Sequence, residues 1–151
     1  MLITLQVEEL LRDLKKKSHE EVKAIEDIEA RYRAEAGTEK EHEIMRCMVE
    51  AASALSRRLW RYLRNYYQDE SDNQLAIPEA FVYDLVMSER RAEGKAQQLA
   101  DYMHTFIVHL TLSRFYSTVS QQELSNKHSL QSLEDAKQLD ELIYSKLPPI
   151  V

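Results

Sequence analysis

Apolar positions along this chain recur mainly at three- and four-residue spacing, the period of helices that bury one face. In residues 39–68 they fall at Ile44, Met48, Ala52, Leu55, Leu59, Leu63 and Tyr66. Thr38 and Glu41 form a capping box directly after Gly37, a residue suited to end the preceding helix. The pattern predicts one long helix over 39–68, roughly 45 Å at 1.5 Å per residue. Helices of that length are more usual in bundles and assembled helical proteins.

Upstream, Val7, Leu10, Leu11 and Leu14 predict a short helix from Thr4 to about Lys17, with three lysines in its last turn. Ser18 with Glu21 is a second capping box. It predicts a helix to about Ala36 on a weak stripe of Val22, Ile25, Ile28 and Tyr32. An unbroken helix over 5–36 is the alternative. Downstream, the acidic stretch from Asp69 to Asn73 reads as a turn.

Residues 80–87 have strand character, with Phe81, Tyr83, Leu85 and Met87 alternating with Val82, Asp84 and Val86. They are read as a short extended segment that needs a pairing partner, or as the first turns of the next helix. Ser88 caps a predicted helix over 89–117. Leu99, Met103, Phe106 and Leu110 form one face, and Tyr102, Ile107, Leu112, Phe115 and Tyr116 widen it, so two sides are buried. Gly94 inside this helix costs about 1 kcal/mol relative to alanine. Ser120 with Glu123 opens a last helix to about Lys146, with Leu130, Leu133, Lys137, Leu139, Leu142 and Ile143 as its face. Pro148 and Pro149 end it. The expected fold is all-α: a single helical domain over 1–151, a bundle of four to five helices.

The net charge of −6 is unevenly placed. Residues 44–68 carry five basic residues against one acidic, and residues 69–87 no basic residue against five acidic. An acidic protein is a poor non-specific nucleic-acid binder. Cys47 is the sole cysteine, which rules out an intramolecular disulfide and suits a reducing cytoplasm. Neither a signal-peptide pattern nor a run of membrane-span length is found, so the expected location is cytoplasmic, with no membrane partner.

The most distinctive chemistry is the basic-aromatic stretch 57–67. On a helix, Arg57, Arg61 and Arg64 share one side, with Trp60 and Tyr67 on a neighbouring stripe. Such a face grips phosphates and stacks bases, or forms a protein interface, since Trp, Tyr and Arg dominate interface energetics. It also suits the chain's own acidic helices. Phe81, Tyr83 and Leu85 form a second candidate interface, as a pairing segment.

Glu39-x-x-His42 and Asp101-x-x-His104 place a carboxylate and an imidazole one turn apart, the spacing of bundle di-metal sites. Spacings like these arise by chance in a chain this rich in glutamate, and no metal or cofactor is assigned. His109 on an apolar helix reads as a hydrogen-bonded core histidine. Cys47 reads as a structural thiol. Neither a phosphate loop nor a nucleophile motif is present, so no catalytic residue and no small-molecule substrate is named.

Four stretches resemble a group of small helical proteins from prophage structural modules of gut bacteria. They are the opening Ile3-Thr-Leu-Gln-Val-Glu-Glu-Leu-Leu, the Tyr32-to-Gly37 stop, the extended Phe81–Met87 and the helix Leu99–Leu110. The resemblance implies a non-enzymatic role in virion assembly, at the head–tail junction or neck, in a bacterial host cell. Protein partners or self-association follow from it. A nucleic-acid-binding or regulatory module using the Arg57–Tyr67 face is the alternative, and a di-metal bundle enzyme a more distant one.

Overall fold

The computed structural model describes residues 1–70, 78–87 and 94–144. Their architecture is five α-helices with a small antiparallel sheet, in the order β1 (Leu2–Gln6), α1 (Val7–Glu21), α2 (Ile28–Ala34), α3 (Glu41–Arg58), β2 (Leu63–Glu70), β3 (Pro78–Leu85), α4 (Ala96–Thr118) and α5 (Gln122–Tyr144). The fold is mainly helical but not an all-α bundle.

The sheet has the order β1-β3-β2, with β3 in the centre. The strand reading of residues 80–87 is therefore the one realised. Its partners are the chain's own strands: Ile3 lies opposite Tyr83 and Leu5 opposite Phe81 on one side, Tyr66 opposite Tyr83 on the other. Being central, β3 is buried on both faces, which explains its near-continuous apolar run. β1 alternates instead, with Ile3 and Leu5 buried and Leu2, Thr4 and Gln6 exposed. The helix expected from Thr4 thus begins only at Val7.

The long helix over 39–68 is not formed. α3 ends at Arg58, residues 59–62 turn, and the chain continues as β2. Leu59 is buried and Tyr62 donates its backbone N–H to Leu59 at 2.9 Å, closing the turn. The helical spacing of Leu59, Leu63 and Tyr66 coincides by chance with a turn followed by a strand. Tyr66 and Tyr67 favour the strand once β3 is there to pair with. The α3 N-cap is Lys40, which makes no side-chain capping bond.

Ser18 is no helix start either. It lies inside α1, fully buried, and its Oγ accepts the backbone N–H of Ala36 at 2.8 Å. After α1 come a 3-10 turn (Val22–Ala24) and the short α2, whose cap is Asp27, accepting from the Glu29 N–H at 3.1 Å. Neither a helix over 18–36 nor one over 5–36 is present.

α4 is the central helix, packed against α1, α3 and α5. Eleven of its residues are buried, among them Leu99, Met103, Ile107, Leu112 and Phe115, so it is apolar around more than one side. Gly94 precedes it in a turn at φ +78, a backbone state that suits glycine. Ser88 and the first residues of the expected helix over 89–117 lie outside the described residues, as do Pro148 and Pro149.

α4 ends in a Schellman turn. Ser120 has φ 64, its N–H reaches Ser117 O at 3.3 Å, and Gln121 N–H reaches Tyr116 O at 2.8 Å. Ser120 therefore ends α4 rather than capping α5. The buried face of α5 also differs from the leucine face expected. It runs through Ser125, His128, Ser132, Ala136, Leu139 and Ile143, whereas Leu130 and Leu133 are exposed. Small side chains let α4 and α5 approach closely, and Ser113 and Ser125 exchange hydroxyl-to-carbonyl bonds of 2.9 and 2.8 Å. No helix among the described residues is long and apolar enough to cross a membrane.

Candidate protein interface

The basic-aromatic stretch is spread over the end of α3, the 59–62 turn and the start of β2. It is not one helical stripe. Arg57 is exposed in the last turn of α3, where positive charge suits the helix dipole. Trp60 is 68% exposed in the turn, and the Arg61 guanidinium carbon lies 5.5 Å from its ring centroid. That distance permits a cation–π contact. Arg64 is 3.8 Å from Asp84 on β3, and Arg58, one residue after Arg57, is 3.7 Å from Asp140 on α5. Both arginines are exposed and both distances long, so these pairs hold the turn only weakly. No carboxylate lies within ion-pair distance of Arg57 or Arg61 among the described residues. Tyr67 is half-exposed on the outer face of the sheet, opposite Val82.

The second candidate group is placed otherwise. Phe81, Tyr83 and Leu85 are fully buried in the core. Tyr83 donates its hydroxyl to the Ala52 carbonyl at 2.8 Å, and its ring lies 4.9 Å from that of Tyr66. Burial raises its phenol pKa far above the usual value, with the Tyr66 neighbour adding to the rise. A pairing segment is what they form, but within the chain, because β1 and β2 already occupy both edges of β3. They present nothing to a second molecule.

A further polar cluster, of which the sequence pattern marks only His109, is built across α1, α4 and α5. His109 Nδ1 lies 2.9 Å from His128 Nδ1, and His128 Nε2 lies 2.7 and 2.8 Å from the two Glu21 oxygens. His128 is 1% exposed and the two rings stack at 5.1 Å between centroids. The Glu21 carboxylate oxygens can only accept hydrogen bonds, so His128 Nε2 donates. The Nδ1–Nδ1 contact then holds one proton, because two N–H groups cannot face each other at that distance. Lys127 lies 3.5 Å from Glu21, and Asp135 Oδ2 lies 3.9 Å from His109 Nε2.

The electrostatics follow from burial. Burial first, then His128 and Lys17, lower the His109 pKa to about 4, so this imidazole is neutral at pH 7. Burial first, then Glu134, raise Asp135 to about 6. At Glu21 burial acts upward, but the His128 hydrogen bond and the charges of His128 and Lys127 outweigh it and the pKa falls. The only signal for this cluster in the sequence was polar residues spaced along one α5 face, which resembles a solvated face.

The two Asp/Glu-x-x-His spacings come apart in three dimensions. His104 Nε2 meets Asp13 of α1 at 2.6 Å, while Asp101 accepts from Gln97 at 2.8 Å. Glu39 accepts from the Tyr32 hydroxyl at 2.6 Å. Among the described residues no group of three or more His, Cys, Asp or Glu is arranged to hold a metal ion. Cys47 is buried, and burial raises its thiol pKa, as a structural thiol requires. Comparison of the chain with protein-family models, curated proteins and solved structures finds no match.

Proposed function

We propose that this protein works without catalysis, as an interaction and assembly subunit whose contact surface is the turn carrying Arg57, Trp60 and Arg61 with Arg64 and Tyr67 of β2. The observation that carries this reading is the exposure of Trp60, the chain's one tryptophan, at 68% with an arginine over its ring. A large indole left in water beside arginines has the composition of an interface hot spot. A head–tail or neck role in a prophage particle, in the bacterial cytoplasm or the virion, is the fuller form of the proposal, and rests on the layout resemblance alone.

The same arginines serve the alternative, a grip on nucleic-acid phosphates. That reading is weaker because the chain carries a net charge of −6, which opposes non-specific binding to phosphates. It predicts binding that falls steeply with salt.

The test is light scattering behind size exclusion over a wide concentration range and two salt strengths, read alongside Trp60 fluorescence. We expect a discrete oligomer with blue-shifted emission. Trp60→Ala combined with Arg61→Glu abolishes it and leaves helical circular dichroism intact. Assembly unchanged by that double substitution would overturn the assignment.

A further inference from the structure

β2 is an edge strand supported almost wholly by β3 among the described residues. The bonding phase of the sheet shows which of its backbone groups face outward. Met1 and Leu85 exchange both of their backbone bonds, each 2.8 Å. Such pairs alternate along an antiparallel ladder, so Tyr83 and Phe81 also direct their backbone groups at β1. Val82 and Asp84 then face β2, a phase matched by the Val86 N–H donating to the Tyr62 carbonyl at 2.6 Å. On β2, Asn65, Tyr67 and Asp69 bond to β3, and Tyr66 and Gln68 aim their N–H and C=O groups at the open edge. No other described element bonds those outward groups.

We propose that this edge pairs with the same edge of a second copy of the chain, antiparallel, about a two-fold axis through Tyr67. The proposal rests on the interface reading above and extends it from the turn into the strand that follows. In this register Tyr66 of each copy lies opposite Gln68 of the other, and the two exchange their outward backbone bonds. Tyr67 meets its own counterpart on the outer face, where it is 45% exposed.

The charges along β2 are self-complementary in this arrangement. Arg64 stands near the start of the strand and Asp69 near its end. Reversal sets Asn65 opposite the other copy's Asp69 and brings Arg64 beside it. Arg64 is available: its side chain is 65% exposed, and Asp84 holds it only at 3.8 Å. Edges that resist pairing carry lysines or one sign of charge along their length. β2 has no lysine and has opposite signs at its two ends. Its regular part, Asn65 to Asp69, lies between two register irregularities, which confines the pairing to a short segment.

Three variants of the intact chain test this. Gln68→Pro removes an outward N–H and leaves the bonds to β3 in place. Arg64→Asp and Asp69→Arg each place like charges across the axis. By sedimentation and light scattering, wild type should be dimeric, and each variant should raise the dissociation constant about tenfold or more. Mixing Arg64→Asp with Asp69→Arg should restore a heterodimer, since each chain supplies the sign the other lacks. This mixing test holds even where the proline variant misfolds. A wild type that is monomeric at every concentration, or a mixture that does not recover, overturns the pairing, as does a dimer untouched by a folded Gln68→Pro. If Trp60→Ala with Arg61→Glu still dissociates that last dimer, the turn remains the interface and only the strand pairing fails.

Discussion

Two polar regions of this molecule sit under opposite solvation. The turn after α3 holds arginines and a tryptophan in water, with ion-pair distances of 3.7 and 3.8 Å. The junction of α1, α4 and α5 holds two histidines and a glutamate almost out of water, at 2.7 to 2.9 Å. The first region is free to change partners. Each group in the second depends on its neighbours, because an unpaired polar atom there cannot turn to solvent. The buried cluster fixes how α5 packs, and the exposed turn is available for contact.

The sharpest break of that comparison is His128→Ala. It strips Glu21 and His109 of their shared partner, and should cost about 3 kcal/mol in urea unfolding. Arg61→Ala, measured the same way, should move stability by less than about 0.5 kcal/mol. Equal effects would erase the distinction.

Asp135 has a folded pKa of about 6 against an ordinary 3.8, so its ionised form destabilises the fold at neutral pH. Stability from this group is gained as pH falls from about 6 toward 3.8. His109 acts oppositely: its folded pKa of about 4 lies below the ordinary 6.5, so stability is lost as pH falls from 6.5 to about 4. Asp135→Asn should therefore gain on the order of 2 kcal/mol at pH 7.5 and nothing below about pH 4. Chemical denaturation at a series of pH values checks this, and a gain that persists in acid would contradict it.

A small gain is expected at the turn that folds α5 back onto α4. Ser120 at φ 64 occupies a position that favours glycine. Ser120→Gly should stabilise by about 0.5 kcal/mol, read as a small rise in melting temperature. A loss would mean that the serine side chain holds the turn in another way.

Helical content was legible because its signals are local. Val7, Leu10 and Leu14 mark α1, and Leu99, Met103 and Phe106 mark α4, by spacing alone. The two-sided burial of α4 was readable for the same reason. β2 was not: Leu63 and Tyr66 satisfy a helical period and a strand, and the choice falls to β3, a segment distant enough that no local rule includes it. The α5 face was misread because Ser125, His128 and Ser132 look solvated until α4 and α1 supply their partners. The exposed candidates Arg57, Trp60, Arg61, Arg64 and Tyr67 were found by composition, but their arrangement as a turn plus a strand edge was not.

The chain's local pattern alone marks the apolar faces of α1 and α4 and the segment rich in arginine and aromatics. Partners distant in the chain decide that residues 63–70 are a strand, that Ser18 ties α1 to Ala36, and that a single proton lies in the contact between the His109 and His128 Nδ1 atoms. The physical reason is range. Backbone preference and hydrophobic period act within a few residues, whereas sheet pairing and the pairing of buried polar groups depend on partners that the fold brings together.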